Sequence, residues 1–191
     1  MDEIVKAAIA KWPNVPDCYG WLGLDARGNW YMRDDNAQAA GAFCAPSDQP
    51  GRQVASKGSL LKHDKLIDFI QRNYAADAQG QWFFQNGPQR VYVELEAAPY
   101  IWRVGREPDF DVTAHTGQVA ITQRCFTDQL GRVYLETALG FGLVHTQDML
   151  QAADAIERGL WVLQEVQVHE LHNRFGYVRS PEAANKARFL E

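Results

Sequence analysis

The sequence predicts an α+β fold made of repeated antiparallel β-hairpins packed with a few helices. The first observation behind this is a pattern, Asp-x-x-Gly-x-(Trp/Val)-(Tyr/Phe), that occurs at Asp25 to Tyr31, Asp77 to Phe83 and Asp128 to Tyr134. An Asp opening a type I turn, a Gly three residues later where a positive φ is needed, and bulky β-formers next close a short hairpin with a bulge. The second observation is helical spacing of apolar residues between the hairpins, clearest over residues 61–74.

The N-terminal segment from Asp2 to Trp12 is acidic at its start and interrupted by Lys, which reads as an amphipathic helix and not a signal peptide. A stiff connector with Pro13 and Pro16 follows, and Tyr19 to Leu24 with Trp30 to Arg33 form the arms of the first hairpin. From Asp34 to Gly58 the chain is rich in Ala, Gln, Gly, Pro and Asp, with Phe43 and Val54 as its large apolar residues, and predicts a flexible insertion over 34–58. Ser59 is placed to cap a helix running to about Tyr74, with Leu66, Ile67, Phe69 and Ile70 in its buried stripe and His63 at the apolar edge.

The second hairpin region runs from Gln81 to Gln85, through an Asn86-Gly87 turn, to Arg90–Leu95, with a further strand from Tyr100 to Val104. Alternation puts Val91, Val93 and Leu95 on a packed face, and Arg90, Tyr92, Glu94 and Glu96 on a face meeting water or a ligand. A polar connector from Gly105 to Gly117 leads to the third hairpin, Val119 to Thr127 with Arg132 to Thr137, and to a strand at Phe141 to Val144. Thr146 is placed to cap a helix with Met149, Leu150, Ala153 and Ile156 inside. Residues 160–172 read as helix or strand, and Glu, Gln and Leu tilt the balance to helix. The chain thus reads as a single compact unit over 1–191, or as two subdomains, about 1–104 and 105–191.

At 191 residues the chain can bury a core without staples, and the odd, widely spaced Cys18, Cys44 and Cys125 fit unpaired thiols. A formal charge of −5 with scattered basic residues argues against nucleic acid, and no apolar run approaches the roughly 18 residues of a membrane span. A bacterial, cytoplasmic protein is expected.

Tyr19-Gly20-Trp21-Leu22, the Asp25 hairpin, the helix from Leu61 to Tyr74, Trp82-Phe83-Phe84 and the run Val91 to Tyr100 together resemble an uncharacterised family of proteobacterial domains of unknown function. In the order of its elements, over about residues 17 to 180, the chain is also similar to a second unknown-function family. Members of that family carry a Cys-Gly, an Asp-Gly-x-Trp hairpin, a helix, a Gly-Tyr hairpin and a Val-Glu-Asp-Ala-Pro-Phe strand end. This resemblance implies an α+β fold with repeated structural motifs and a part in signal transduction, and it transfers no catalytic residue.

Gln85, Asn86 and Arg90 offer amides beside a cation, and Arg103, if it reaches the same cleft, would complete a clamp for a carboxylate or phosphate. His115, next to Gly117, adds a titratable side chain. These five residues are the candidate site of a non-enzymatic module that binds a small anionic ligand or a peptide. A metal-assisted or acid/base hydrolase using Glu94, Glu96, His115 and His145 is the alternative, and self-association through hairpin edges is a third reading. No serine sits in a Gly-x-Ser-x-Gly elbow and no Gly-rich loop carries a nucleotide signature, so neither cofactor nor metal is expected.

Overall fold

Each Asp-x-x-Gly turn is closed by its own aspartate. Asp25 Oδ1 accepts from the Asn29 N–H at 2.8 Å, Asp77 Oδ1 from Gln79 and Gln81 N–H at 2.9 Å each, and Asp128 Oδ1 from Leu130 and Arg132 N–H at 2.9 and 3.0 Å. The required positive φ falls on Gly28, Gly80 and Gly131, at 82°, 77° and 73°. A tyrosine hydroxyl completes each carboxylate: Tyr134 donates to Asp128 at 2.9 Å, Tyr92 to Asp77 at 3.1 Å, and Tyr31 bonds Asp25.

The computed structural model describes residues 1–44 and 55–188. Two helix-flanked sheets lie in two compact units, one comprising Met1–Asp25, Asn29–Glu96 and Tyr177–Glu191 and the other Ala26–Gly28 and Ala97–Gly176. With six α-helices and two mixed sheets among the described residues, the fold is α+β.

In the first unit, α1 (Glu3–Lys11) precedes strands β1 (Cys18–Leu24), β2 (Trp30–Met32), β3 (Ser59–Leu60), β4 (Tyr74–Ala76), β5 (Trp82–Asn86) and β6 (Gln89–Leu95), in the order β3-β2-β1-β6-β5-β4. All pairs are antiparallel except β1 with β6. In the second unit β7 (Tyr100–Val104), β8 (Val112–Ala114), β9 (Val119–Ala120), β10 (Thr122–Asp128), β11 (Val133–Thr137), β12 (Gly140–Val144) and β13 (Leu163–Val166) take the order β9-β8-β7-β12-β11-β10-β13. The first six strands of each unit therefore share one order, and β7 with β12 is the parallel counterpart of β1 with β6.

The step from third to fourth strand differs between the units. Only Ile121 separates β9 from β10, so strands far apart in the sheet order are covalent neighbours and the sheet must curl towards closure. Both faces of this sheet are packed: strand register puts Trp102 and Leu135 on one and Phe126 and Tyr134 on the other, all at most 1 % exposed, with Trp102 Nε1 donating to Leu135 O at 3.0 Å. In the first unit the same step contains a helix, α3 (Asp64–Arg72), which lies on the sheet with Phe69 edge-on to Phe84 at 5.4 Å.

Several elements differ from the sequence expectations. Ser59 is not a helix cap but pairs with Met32 at the sheet edge; the cap of α3 is His63, whose Nδ1 accepts from Leu66 N–H at 3.2 Å. Asn86 ends β5 opposite Gln89, so the loop is Gly87-Pro88, with the Gly87 φ of 56° suiting the first position of a II′ turn. His145, not Thr146, caps a single 3₁₀ turn that leads into α4 (Met149–Glu157). Residues 163–166 are strand, because β10 offers a parallel ladder from Cys125 to Asp128 that outweighs local helix propensity; α5 (Leu171–Arg174) follows. Within 34–58 the composition predicts no packed element, yet α2 (Asp35–Ala40) forms there, capped by Asp34, and Phe43 is 1 % exposed; residues 45–54 lie outside the described residues.

The face carrying Tyr92 and Glu94 is covered, not wet. After Gly176 the chain enters the first unit, Leu95 N–H donates to Arg179 O at 2.8 Å, and α6 (Pro181–Arg188) packs on β1 and β6. Glu94, 3 % exposed, accepts the Glu182 N–H at 2.9 Å at the start of α6. Arg33, completely buried, donates to the carbonyls of Gly20, Gly41 and Ser56 and lies 3.5 Å from Glu182.

Candidate functional site

The inserted helix leaves space behind it. Leu66 and Ile70 project from α3 towards Leu22 on β1, Phe84 on β5 and Val91 on β6, and the layers do not close completely. A cavity of about 260 Å³ remains, extended by Cys18, Trp21 and Met32 and edged by Asn86 and Gln89. Trp21 and Met32 keep 42 % and 47 % of their surface exposed, so the wall continues to the outside.

Strand pairing explains which residues meet here. Leu22 lies opposite Met32, Phe84 opposite Val91 and Asn86 opposite Gln89, and directly paired residues share a face. Gln89 is positioned by its Nε2, which donates to Pro16 O at 3.1 Å, leaving its Oε1 available as an acceptor. The lining is apolar apart from two carboxamides and the Cys18 thiol, whose pKa is raised by burial.

The residues singled out in the sequence divide between the units. Asn86 is on the cavity. Gln85 and its partner Arg90 point to the opposite sheet face, where Gln85 Nε2 donates to Gly87 O at 3.0 Å and the Arg90 guanidinium lies 4.9 Å from the Phe83 ring centre. Arg103 and His115 are in the second unit. Arg103 forms a two-pronged ion pair with Asp148, at 2.5 and 3.1 Å, and Val104 N–H adds a third bond at 3.1 Å. Burial opposes ionisation of Asp148, but these bonds win and hold its carboxyl below the usual range. His115 accepts the Ile101 N–H on Nδ1 at 3.2 Å, its Nε2 is out of solvent, and burial lowers its pKa to about 3. A neutral, enclosed imidazole is a poor anion ligand at neutral pH.

The residues of the hydrolase alternative have structural partners. Glu94 holds the start of α6, and burial outweighs the bonds from Ser180 and Glu182 and raises its pKa. Glu96 pairs with Lys57 at 2.8 Å, and His145 Nδ1 accepts the Gln147 N–H at 3.1 Å. Among the described residues no group of three or more His, Cys, Asp or Glu is placed to hold a metal ion, and no helix is long and apolar enough to cross a membrane.

A family model named DUF2944, described as "Protein of unknown function (DUF2946)", matches residues 1–182. The chain belongs to that family. Two solved structures of DUF1285 family proteins are similar to this DUF2944 member. One, from Silicibacter pomeroyi DSS-3, is 13 % identical, with 81 % of this chain and 84 % of that chain covered and a TM-score of 0.47. The other, from Shewanella baltica OS155, is 17 % identical, with 71 % and 91 % covered and a TM-score of 0.45. No curated protein matches the chain.

Cys18, Trp21, Met32, Leu66, Ile70 and Phe84 carry no mark in the sequence that separates them from ordinary core. Each is an apolar residue on a strand or helix, and the gap they surround depends on how far α3 stands from the sheet. The one advance signal was Asn86, a polar residue at a hairpin end.

Proposed function

We propose that the chain is a non-enzymatic binding module whose ligand enters the cavity between α3 and the sheet of the first unit. The observation that carries this reading is an apolar space of about 260 Å³ with two carboxamides at its edge and an exposed Trp and Met continuing its wall. Small-molecule sites have this composition: mostly apolar walls that supply affinity, with few polar groups that fix orientation. Catalysis would require a nucleophile, acid or base poised at the space: the carboxylates and imidazoles considered for that role are engaged in caps, turns and ion pairs, and the Cys18 thiol in the lining is held in its protonated, weakly nucleophilic form by burial.

The ligand is neutral, in place of the anion expected from Arg90 and Arg103, because among the described residues no charged side chain lines the cavity. A regulatory role fits the resemblance to the signal-transduction-like family, with cavity occupancy as the signal. Thermal unfolding against a panel of neutral apolar compounds tests the binding reading. A ligand at 100 times its Kd adds about 2.7 kcal/mol to stability, and Leu66→Trp, which fills the space, abolishes the shift. Stabilisation that persists in Leu66→Trp places binding elsewhere and overturns the site.

A further inference from the structure

Building on this cavity reading, we infer that the ligand is a neutral, flat aromatic molecule of about bicyclic size, carrying one hydrogen-bonding group that meets Asn86. Size sets the first limit. An engineered apolar cavity of about 150 Å³ holds benzene, and the space here, at about 260 Å³, has room for a second fused ring. It lies below the roughly 300–1,000 Å³ of drug-sized pockets, so the recess itself takes a small group.

Shape and wall chemistry set the second. The space lies between a helix and a sheet, so it is a slot bounded by two layers, which a flat ring system fills better than a branched or globular group. Trp21, Phe84 and the Met32 thioether supply aromatic and sulfur surfaces, which favour ring contacts beyond the area they bury. Charge sets the third: a carboxylate or ammonium would lose its hydration with no opposite charge in the wall among the described residues. Asn86, at the end of its strand and exposed, presents both donor and acceptor at the edge, next to the acceptor of Gln89.

The test is an NMR titration of the full chain, following the Trp21 indole N–H and the Met32 methyl, with 2-naphthol, naphthalene, 2-naphthoate, phenol and 1-octanol. The expected result is that 2-naphthol binds at least about tenfold more tightly than 2-naphthoate, phenol or octanol. Asn86→Ala should weaken 2-naphthol about fivefold, the size of one ordinary hydrogen bond, and leave naphthalene unchanged. Leu66→Trp should abolish both, and Leu66→Phe serves as the filler if the Trp variant fails to fold. Octanol or naphthoate binding at least as tightly as 2-naphthol, with sensitivity to Leu66 retained, overturns the ligand class and leaves the cavity as a binding site. An absence of response at Trp21 and Met32 to every compound overturns both.

Discussion

Tyr92 supplies to Asp77, from the neighbouring strand, the hydroxyl that the other two turns draw from within their own hairpin sequence. Tyr31 and Tyr134 lie six residues after Asp25 and Asp128; the residue six after Asp77 is Phe83, which has no hydroxyl, and its direct cross-strand partner is Tyr92. The same carboxylate geometry is therefore satisfied by two different strands.

Tyr92→Phe should cost about 1 kcal/mol for the lost bond to the Asp77 carboxylate, beside the bonds its hydroxyl shares with Tyr19 and Arg90, and it leaves the ring packing in place. Adding Phe83→Tyr should recover most of that loss by restoring the arrangement of the other two turns. Urea unfolding of the two single variants and the double variant measures this; a double variant no more stable than Tyr92→Phe would show that position 83 cannot reach Asp77.

His115 makes the second unit sensitive to acid. Its folded pKa of about 3 lies below the ordinary value of 6.5, so the unfolded chain binds the extra proton first. Stability is complete above pH 6.5 and declines by about 1.4 kcal/mol per unit as pH falls towards 3. Between pH 6.5 and 5, before most carboxylates titrate, His115→Asn should flatten the slope while keeping an acceptor for Ile101 N–H. An unchanged slope would assign the acid response to other groups.

Glu94 has the opposite sign. Its folded pKa is raised above the ordinary 4.5 by burial, so the folded state holds its proton longer and stability falls as pH rises from 4.5 through the folded value. The effect should be concentrated where Glu94 accepts, at the start of α6. Hydrogen exchange is expected to show the 177–188 segment opening more readily at pH 7 than at pH 5, and Glu94→Gln should remove that difference. Equal changes throughout the unit would contradict a local latch.

Gly142→Ala should be among the most damaging small substitutions. A Cβ there would stand 2.4 Å from Trp102 Nε1 and 2.5 Å from Tyr100 O, so a backbone atom must move and the bond from Trp102 to Leu135 O is disturbed. Overpacking of this kind costs about 1–3 kcal/mol, and a strained hydrogen bond adds about 1. The urea midpoint measures it, and a loss under about 1 kcal/mol would mean that β12 shifts freely.

What the sequence made legible was local. The Asp turns could be read because donor, acceptor and Gly lie within five residues, and α3 because Leu66, Phe69 and Ile70 recur at helical spacing. The misread elements depend on distant partners: Ser59 is strand because Met32 pairs with it, Leu163–Val166 is strand because β10 receives it, and the Glu94 face is dry because a segment almost ninety residues later, at Glu182, covers it. Of the site residues, Asn86 was identifiable as a polar hairpin end, but its companions were not, since Arg90 alternates to the other face and Arg103 is claimed by Asp148.

One sheet passes from its third strand to its fourth through Ile121 alone, and the other through a whole helix. Under the proposed binding role, that asymmetry separates the tasks of holding shape and choosing guests. Every ladder of the helix-bearing sheet is made by other segments, so exchanges at positions 66 and 70 of α3 would reshape the enclosed space while the strand hydrogen bonds stay as they are. Relatives could in this way diversify what they accommodate by altering a single exchangeable insert, with little risk to the scaffold that carries it.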